Sequence, residues 1–269
     1  MMGRVRLRVI DTHCHLTFPD FAGRVPEVIE AAARAGVGGM ITISTTTRDC
    51  LDALAVARAQ PRVWSTAGVH PLYSDEGPHE WENLGRCIRH SKCVAWGELG
   101  LDNHYPEPSK DLQRRVLDEQ LAFIKAQRDV RKPVVVHCRE AFDDLIPVLT
   151  GSGLDTGLMV FHCFTGGPAE VRKVLDIGAT VGFTGVLTYR NAKDVQEAAR
   201  LVPMDRLLVE TDAPFLSPEP KRGSRPCEPW MCSLTAAYLA ELRHVPLAEL
   251  ASRLDENTER LFGIRAEVA

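Results

Sequence analysis

The sequence predicts an α/β protein: a (β/α)8 TIM barrel formed by the whole chain, 1–269, as a single domain. Three observations predict this fold. Short β-rich runs alternate with helical runs from end to end. The strand-like runs are rich in Val, Ile and Leu rather than strictly alternating, as in a parallel sheet with both faces buried. The 269 residues also suit one barrel, which typically has about 250.

Eight segments are predicted to be strands because each is a short run of β-forming residues. They are 9–11, 40–43, 63–67, 93–97, 134–137, 159–162, 180–183 and 207–210. The sequence contains no internal repeat of fixed period and no low-complexity tract. Eight strands in alternation with helices are the pattern of a barrel.

Segments with helical spacing lie between the strands, and 109–129 is the clearest. Ser109 is its predicted N-cap. One apolar stripe follows, formed by Leu112, Val116, Leu117, Leu121 and Ile124. Segments 169–175 and 194–201 have similar spacing. The Pro-rich stretch 214–229 is predicted to be a long loop after the last strand, because the 40 residues that follow it have a helical pattern.

The composition is that of a soluble globular protein and limits the classes of function. A net charge of −4 is too mild to attract acidic partners over long range, so any polyanion would be held locally. The basic start "MMGRVRLRV" lacks the apolar core of a signal peptide, and no apolar run is long enough for a membrane span. The eight cysteines include no CxxC pair. We therefore expect reduced thiols and a cytoplasmic location.

Two histidines one residue apart end the first predicted strand, in "VIDTHCHL". Alternate side chains of a strand point to the same side, so His13 and His15 can point together while Cys14 points away. Two neutral imidazoles that converge can share a cation. The alternative is a polar turn in which these histidines cap backbone groups.

Other polar residues also stand where predicted strands end, namely His70, Glu98, His137, His162 and Asp212. Because active sites of barrels lie at the carboxyl ends of the strands, these residues should meet on one rim. Singly, His137 or His162 could be a hydrogen-bonded core histidine. Glu98 could pair with a basic side chain, and Asp212 could be a turn residue. Together they would be a costly polar cluster unless one or two divalent cations lay among them.

Six blocks of the sequence resemble, in order, the signature blocks of the TatD family of metal-dependent hydrolases. They are "DTHCHL", "GVHP", "GELGLD", "PVVVHCREAFDDLIPVL", "HCFTGG" and "LLVETDAPFLSPEPKRG". The resemblance covers about residues 9–262 and implies a (β/α)8 barrel with metal-dependent deoxyribonuclease activity, often from the 3′ end of DNA.

The resemblance also implies roles for individual residues. One metal would be held by His13, His15, Glu98 and Asp212, and the second by Glu98, His137 and His162, so that Glu98 bridges the two. His70 matches the family's additional active-site histidine, near the metals and the scissile phosphate.

This chain departs from the family pattern in the loop after the last strand. The family often has "RNEP" after "RG", whereas residues 224–229 are "SRPCEP". A tyrosine commonly follows "GLD", and here Asn103 follows it. These departures leave the metal ligands intact, but the loop borders the mouth of the site, so the substrate preference can differ.

A hydrolytic mechanism follows from electrostatics. A metal lowers the pKa of a bound water towards neutrality, and Asp212 is the predicted general base or orienting group. His70 could donate to the phosphate or to the leaving oxygen. The remaining candidates for phosphate binding are the cationic side chains Arg139, Lys221, Arg222 and Arg225. A salt bridge is the alternative for Arg139, and a solvated basic loop is the alternative for the other three.

The predicted cofactors are two divalent cations, Zn, Mn or Mg. Imidazole ligands favour Zn, Mn, Fe or Co, and the nuclease activity of the family implies that Mg can serve. The predicted partner is DNA as substrate, with single strands favoured, and no protein partner is inferred. Two alternatives stay open: hydrolysis of a small ester, lactone or amide at the same site, and a binding protein that uses the metals structurally.

Overall fold

Eight parallel strands form one sheet in the computed structural model, which describes residues 8–266. The strands follow one another in chain order: β1 (Val9–Cys14), β2 (Val37–Thr42), β3 (Val63–Ala67), β4 (Cys93–Asp102), β5 (Val134–Arg139), β6 (Met159–Phe161), β7 (Thr180–Phe183) and β8 (Leu207–Val209). The predicted (β/α)8 TIM barrel is confirmed. Residues 1–7, which include most of the basic start of the chain, and 267–269 lie outside the described residues.

Helices connect the strands and cover the outside of the sheet. Those within residues 8–266 are α1 (Val25–Arg34), α2 (Asp49–Ala59), α3 (Trp81–Ile88), α4 (Lys110–Ala126), α5 (Phe142–Gly151), α6 (Pro168–Asp176), α7 (Lys193–Leu201), α8 (Cys232–Arg243) and α9 (Leu247–Phe262). All three predicted helical segments are helices, with ends that differ by at most three residues. Each helix in this part of the chain is too short or too polar to cross a membrane.

Hydrogen bonds between the segments at the ends of β1 and β8 close the sheet into a barrel. His15 donates its N–H to the carbonyl of Ala213 at 2.7 Å, and Asp212 donates its N–H to the carbonyl of His13 at 2.8 Å. We call these two backbone hydrogen bonds the β1–β8 seam. The seam lies beyond the formal end of β8, and residues predicted to bind metal supply part of it.

The predicted strand starts are correct except for β2. That strand begins at Val37 rather than at residue 40, because the two glycines that suggest a turn belong to the strand. A Cβ at Gly39 would lie 2.7 Å from the ring of Trp64 on the neighbouring β3, so a small residue is required there. Strand ends differ more, since β1, β4 and β5 extend past their predicted ends to Cys14, Asp102 and Arg139.

β4 contains an extra residue at the point where the site is built. Trp96 pairs with Val134 and Leu99 pairs with Val136, so two residues of β4 lie between these pairs opposite one residue of β5. Such a bulge changes the direction of the side chains next to it. Glu98 is one of the two intervening residues.

Glycines allow β4 to lie close to β5 at this bulge. Gly97 and Gly100 have φ angles of +109° and +151°, which disfavour other residues. A Cβ at Gly100 would lie 1.9 Å from the carbonyl oxygen of His137, and one at Gly97 would lie 2.4 Å from that of Val135. The two glycines of "GELGLD" are therefore required by the backbone.

Apolar side chains form two clusters. The larger one lies between the strands and the helices and includes Phe21, Trp96 and Leu117. The smaller one joins residues near the strand starts, such as Ile10 and Val135, to the last turn of α9. This last turn therefore packs against the amino ends of the strands and leaves the carboxyl ends open.

The helix α4 begins as predicted. The Ser109 hydroxyl accepts a hydrogen bond from the Leu112 N–H at 3.3 Å, which is an N-cap. Four members of the predicted apolar stripe are buried: Val116, Leu117, Leu121 and Ile124. The fifth, Leu112, is only half-buried, because two glutamines occupy buried positions of this helix.

The side chains of the two buried glutamines of α4 form hydrogen bonds with the backbone next to the predicted site. Gln113 accepts from the N–H of Asp102 at 2.8 Å and donates to its carbonyl at 3.0 Å. Gln120 makes the same pair of bonds to Val69, at 2.8 and 3.2 Å. Val69 directly precedes His70, so α4 fixes the chain at the ends of two strands.

We expect Gly100→Ala to destabilise the protein, because the new Cβ would meet the His137 carbonyl oxygen at 1.9 Å at a φ of +151°. The expected loss is about 3 kcal/mol of unfolding free energy. Thermal unfolding checks this, since about 3 kcal/mol corresponds to a fall of roughly 6–12 °C in a domain of this size.

Gly151→Ala is the matched control, because Gly151 ends α5 and a methyl group added there would have nothing within 4 Å of it. Its unfolding temperature should stay level or rise slightly. Equal behaviour of the two variants would contradict the close packing of β4 on β5.

Candidate metal centre

All six predicted metal ligands meet at the carboxyl ends of the strands. They are His13 and His15 at the end of β1, Glu98 in β4, His137 in β5, His162 directly after β6, and Asp212 after β8. The sequence suggested that Glu98 follows the end of its strand. In the structure β4 continues past Glu98 to Asp102. The bulge nevertheless directs its carboxylate to the same place.

The Glu98 carboxylate is the centre of the cluster and is almost completely buried. Its Oε1 lies 2.5 Å from His162 Nε2 and 2.7 Å from His137 Nδ1. Its Oε2 lies 3.2 Å from His13 Nε2. Burial alone would raise the pKa of Glu98, but the adjacent imidazoles, above all that of His162, hold it well below its usual range. Glu98 is therefore ionised.

Asp212 supplies the second carboxylate. Its Oδ1 lies 3.3 Å from His15 Nε2 and 3.6 Å from His13 Nε2. Burial would raise the pKa of this carboxyl, but the hydrogen bond with His15 outweighs burial and lowers it. The predicted orientation of His13 and His15 towards one point is thus confirmed, and Cys14 between them packs in the core.

Several buried donor atoms of this cluster have no hydrogen-bond partner in the described part of the chain. They are both ring nitrogens of His13, Nδ1 of His15, Nδ1 of His162 and Oε2 of Glu98. Unsatisfied buried polar atoms are costly, and a cation would satisfy those that face the cluster. Nitrogen and carboxylate oxygen are suitable ligands for Zn, Mn or Fe. The residues present therefore fit a divalent metal.

The donor atoms form three overlapping groups, within each of which all ligand atoms lie within 4.8 Å of one another. The groups are His13, His15 and Asp212; His13, Glu98 and His162; and His70, Glu98 and His137. Each group could hold a metal ion. The other four histidines, His79, His90, His104 and His244, belong to no such group within residues 8–266.

His70 lies after β3 with its ring against the cluster. Its Nε2 lies 3.1 Å from His137 Nδ1 and 3.5 Å from Glu98 Oε1. Its Nδ1 accepts the Leu72 N–H at 3.0 Å. Burial lowers the pKa of His70 to about 3, so the ring is neutral. Because Nδ1 accepts, the proton is on Nε2, which faces the cluster.

The sequence reasoning missed Asp102, the last residue of β4. This buried carboxylate accepts a hydrogen bond from His137 Nε2 at 2.9 Å. Burial would raise the pKa of Asp102, but the bond to His137 lowers it. Burial lowers the pKa of His137, but the hydrogen bonds to Asp102 and Glu98 raise it to about 9. The bond to Asp102 keeps a proton on Nε2, so Nδ1 is the nitrogen that would bind a metal. Its spacing of four residues from Glu98 on one strand was the available signal.

Glu210 is a second buried carboxylate that was not predicted. It accepts a hydrogen bond from Cys163 N–H at 2.5 Å and from the Thr12 hydroxyl at 3.1 Å, and it lies 3.7 Å from His162 Nδ1. Burial raises the pKa of Glu210 to about 7. Glu210 ties β1, β8 and the segment after β6 together beside the cluster.

A cavity of about 640 Å³ opens above the cluster and has room for a small ligand. Of the four predicted phosphate-binding residues, Arg139 and Arg225 line it. Within residues 8–266 neither guanidinium forms an ion pair, and the salt bridge considered for Arg139 is not formed. Arg139 instead lies over the ring of Tyr105, with 5.1 Å from the guanidinium carbon to the ring centroid.

The other two predicted phosphate-binding residues do not line the cavity among the residues described. Lys221 and Arg222 are exposed on the loop between β8 and α8, which is the long loop that the sequence predicts. Arg222 lies over the ring of Tyr189 at 4.1 Å and bonds weakly to Asn191. Both remain predictions as outer contacts to a long substrate.

A family model described as TatD related DNase matches residues 10–263, nearly the entire chain. The chain belongs to the TatD-related DNase family. The resemblance of the sequence blocks is thereby confirmed, and the protein is a metal-dependent hydrolase.

Relatives in the TatD family match over almost their full lengths. An uncharacterized metal-dependent hydrolase, YcfH of Escherichia coli K12, is 36% identical over 261 residues, covering 96% of this chain and 97% of the relative. The 3'-5' ssDNA/RNA exonuclease TatD of Pantoea vagans is 36% identical over 267 residues, covering 94% and 99%. The crystal structure of YJJV, a TatD homologue from Escherichia coli K12, has a TM-score of 0.88 and 33% identity, covering 96% and 99%.

We expect Asp102→Asn to weaken divalent-metal binding about 10- to 100-fold, because it removes the carboxylate that fixes the proton and the orientation of His137. Calorimetric titration of the metal-stripped protein with Mn²⁺ and Zn²⁺ measures this. Asp118→Asn, an exposed carboxylate of α4 paired with Arg114, is the control and should bind like the wild type. Equal affinities of all three proteins would show that Asp102 does not orient a ligand.

Proposed function

We propose that this protein is a divalent-metal-dependent phosphodiesterase that cleaves DNA, as an exonuclease acting on single strands from the 3′ end. The observation that carries the proposal is the buried Glu98 carboxylate, surrounded by imidazoles with unsatisfied donor atoms at the base of an open cavity. The cationic side chains of Arg139 and Arg225 line the same cavity, as binding of a phosphate requires. The TatD relative from Pantoea vagans, named a 3'-5' ssDNA/RNA exonuclease, supports the substrate class.

In this proposal the cluster would hold two divalent cations. His13, His15 and Asp212 would hold one, His137 and His162 would hold the other, and Glu98 would be available to both. When bound, such a pair supplies a water nucleophile near neutral pH and neutralises charge on the phosphate. Zn, Mn and Mg remain the candidate metals.

Asp212 is the proposed proton-transfer group, and His70 is the proposed hydrogen-bond donor to the substrate. The low pKa of Asp212 keeps its carboxylate ionised, so it can accept the proton of the attacking water or orient that water. His70 Nε2 carries a proton, because its Nδ1 accepts from the backbone, and this N–H can donate a hydrogen bond to a phosphate oxygen or to the leaving oxygen. Glu98 remains ionised throughout and acts as a ligand.

Three further statements stay predictions. We expect the chain, 1–269, to form one domain and the protein to be cytoplasmic, and no protein partner is inferred. The changed loop sequence "SRPCEP" includes Arg225 at the rim of the cavity, so this loop is where the substrate preference of this chain would differ from that of relatives.

We expect Asp212→Asn to reduce cleavage of 5′-labelled single-stranded DNA at least about 100-fold, the loss usual for a proton-transfer group. Cleavage should also disappear on chelation and return with Mg²⁺, Mn²⁺ or Zn²⁺. Gel analysis of shortened products measures both and reveals the polarity. Asp176→Asn, an exposed residue at the end of α6, is the control and should retain full activity.

Two outcomes would contradict this proposal. If DNA stays intact with all three metals while a small ester or lactone is hydrolysed, the substrate class is wrong. If the folded Asp212→Asn variant cleaves as fast as the wild type, the role of Asp212 is wrong. Circular dichroism of each variant separates a loss of activity from a loss of fold.

A further inference from the structure

Two aromatic groups line the cavity, and the proposed chemistry uses none of their aromatic rings. One is the Phe18–Phe215 pair, with ring centroids 5.9 Å apart in an edge-to-face arrangement. The other is the Tyr105–Arg139 pair, in which the guanidinium lies over the ring. All four side chains line the cavity.

The two pairs lie on opposite sides of the barrel. Phe18 and Phe215 follow β1 and β8, which meet at the β1–β8 seam. Tyr105 follows β4, and Arg139 ends β5. In a ring of eight strands in chain order, the contact of β4 with β5 lies opposite the contact of β1 with β8. The metal cluster therefore lies between the pairs.

The exposure of these rings is unusual for this molecule. Within residues 8–266, the large apolar side chains that are exposed are three leucines on helices and two aromatic residues, Phe215 at 37% and Tyr105 at 44%. Both aromatic residues line the cavity. Phe18 is held in place by His15, on which it stacks with centroids 4.7 Å apart. Phe18, stacked on His15, and the exposed Phe215 together form an aromatic surface that is open to the cavity.

Flat apolar faces next to cations are the features that bind single-stranded nucleic acid. Bases stack on aromatic rings or on guanidinium planes, and the stacking tolerates any sequence because every base has a π-face. A base within a duplex has both faces covered by its neighbours, so it is not free to stack on the protein. Arg139 and Arg225 also bring positive charge to this cavity, which favours a nucleic-acid backbone.

We propose that the two pairs each stack one of the two bases that flank the scissile phosphate of single-stranded DNA, one base on each side of the metal cluster. This inference rests on the proposed exonuclease function and adds the origin of strand selectivity: preference for single strands comes from base stacking at the rim. The chain then needs no hydrogen-bond readout of the base.

Abasic oligonucleotides test this directly. We compare single-stranded 12-mers that are intact, abasic at the 3′-terminal nucleotide, or abasic at the next nucleotide, and measure kcat/KM for removal of the terminal nucleotide. The wild type should prefer the intact strand about 10-fold over each abasic strand. Phe215→Ala should lose the preference at one position, and Tyr105→Ala should lose it at the other.

Conservative variants and a control complete the design. Phe215→Trp and Tyr105→Phe should restore the preference, because they restore a ring. Leu247→Ala, which removes an exposed leucine at the start of α9, should keep the wild-type preference at both positions. Circular dichroism confirms that the alanine variants are folded.

Each failure has a distinct meaning. If both alanine variants keep the wild-type preference at both positions, or lose it at the same position, the stacking inference is wrong and the proposed nuclease function stands. If the wild type cleaves none of the DNA strands with any of the three metals, the proposed function is wrong and the inference falls with it.

Discussion

The charge of one buried carboxylate constrains the whole site. An ionised Glu98 without positive neighbours would be strongly unfavourable in so dry a location. The imidazoles that approach it come from β1, β5, β6 and the segment after β3, which are far apart in the sequence. A parallel sheet bent into a barrel is what brings these distant segments to one point, since all its strands end on the same side. The barrel therefore supplies the imidazoles that a buried Glu98 carboxylate requires.

The fold could be predicted because its signals are local. Alternating β-rich and helical runs identify the architecture, and the starts of seven strands are where the sequence places them. The convergence of the candidate ligands could be predicted because histidine is uncommon and its positions coincide with strand ends. Roles for the individual ligands came from the resemblance to the TatD family, and they remain proposals.

What could not be predicted depends on contacts between strands. The extent of β4 was missed because glycines suggest a break, while here they permit close approach to β5. Asp102 and Glu210 were missed because an acidic residue near a strand end has many uses, and only the neighbouring His137 and His162 identify these two. Similarly, the buried glutamines of α4 interrupt its apolar stripe because they bind backbone at the strand ends.

The β1–β8 seam has a consequence for how the protein is made. Asp212 and Ala213 form its hydrogen bonds with His13 and His15, so one half of this contact is synthesised near the beginning of the chain and the other half almost two hundred residues later. During translation the emerging polypeptide holds both early histidines long before their carboxylate neighbour leaves the ribosome. A fragment that stops before the eighth strand lacks both the closing contact and the second carboxylate of the candidate metal centre. The barrel and the candidate metal centre are thus completed together, once the segment that contains Asp212 and Ala213 has been synthesised.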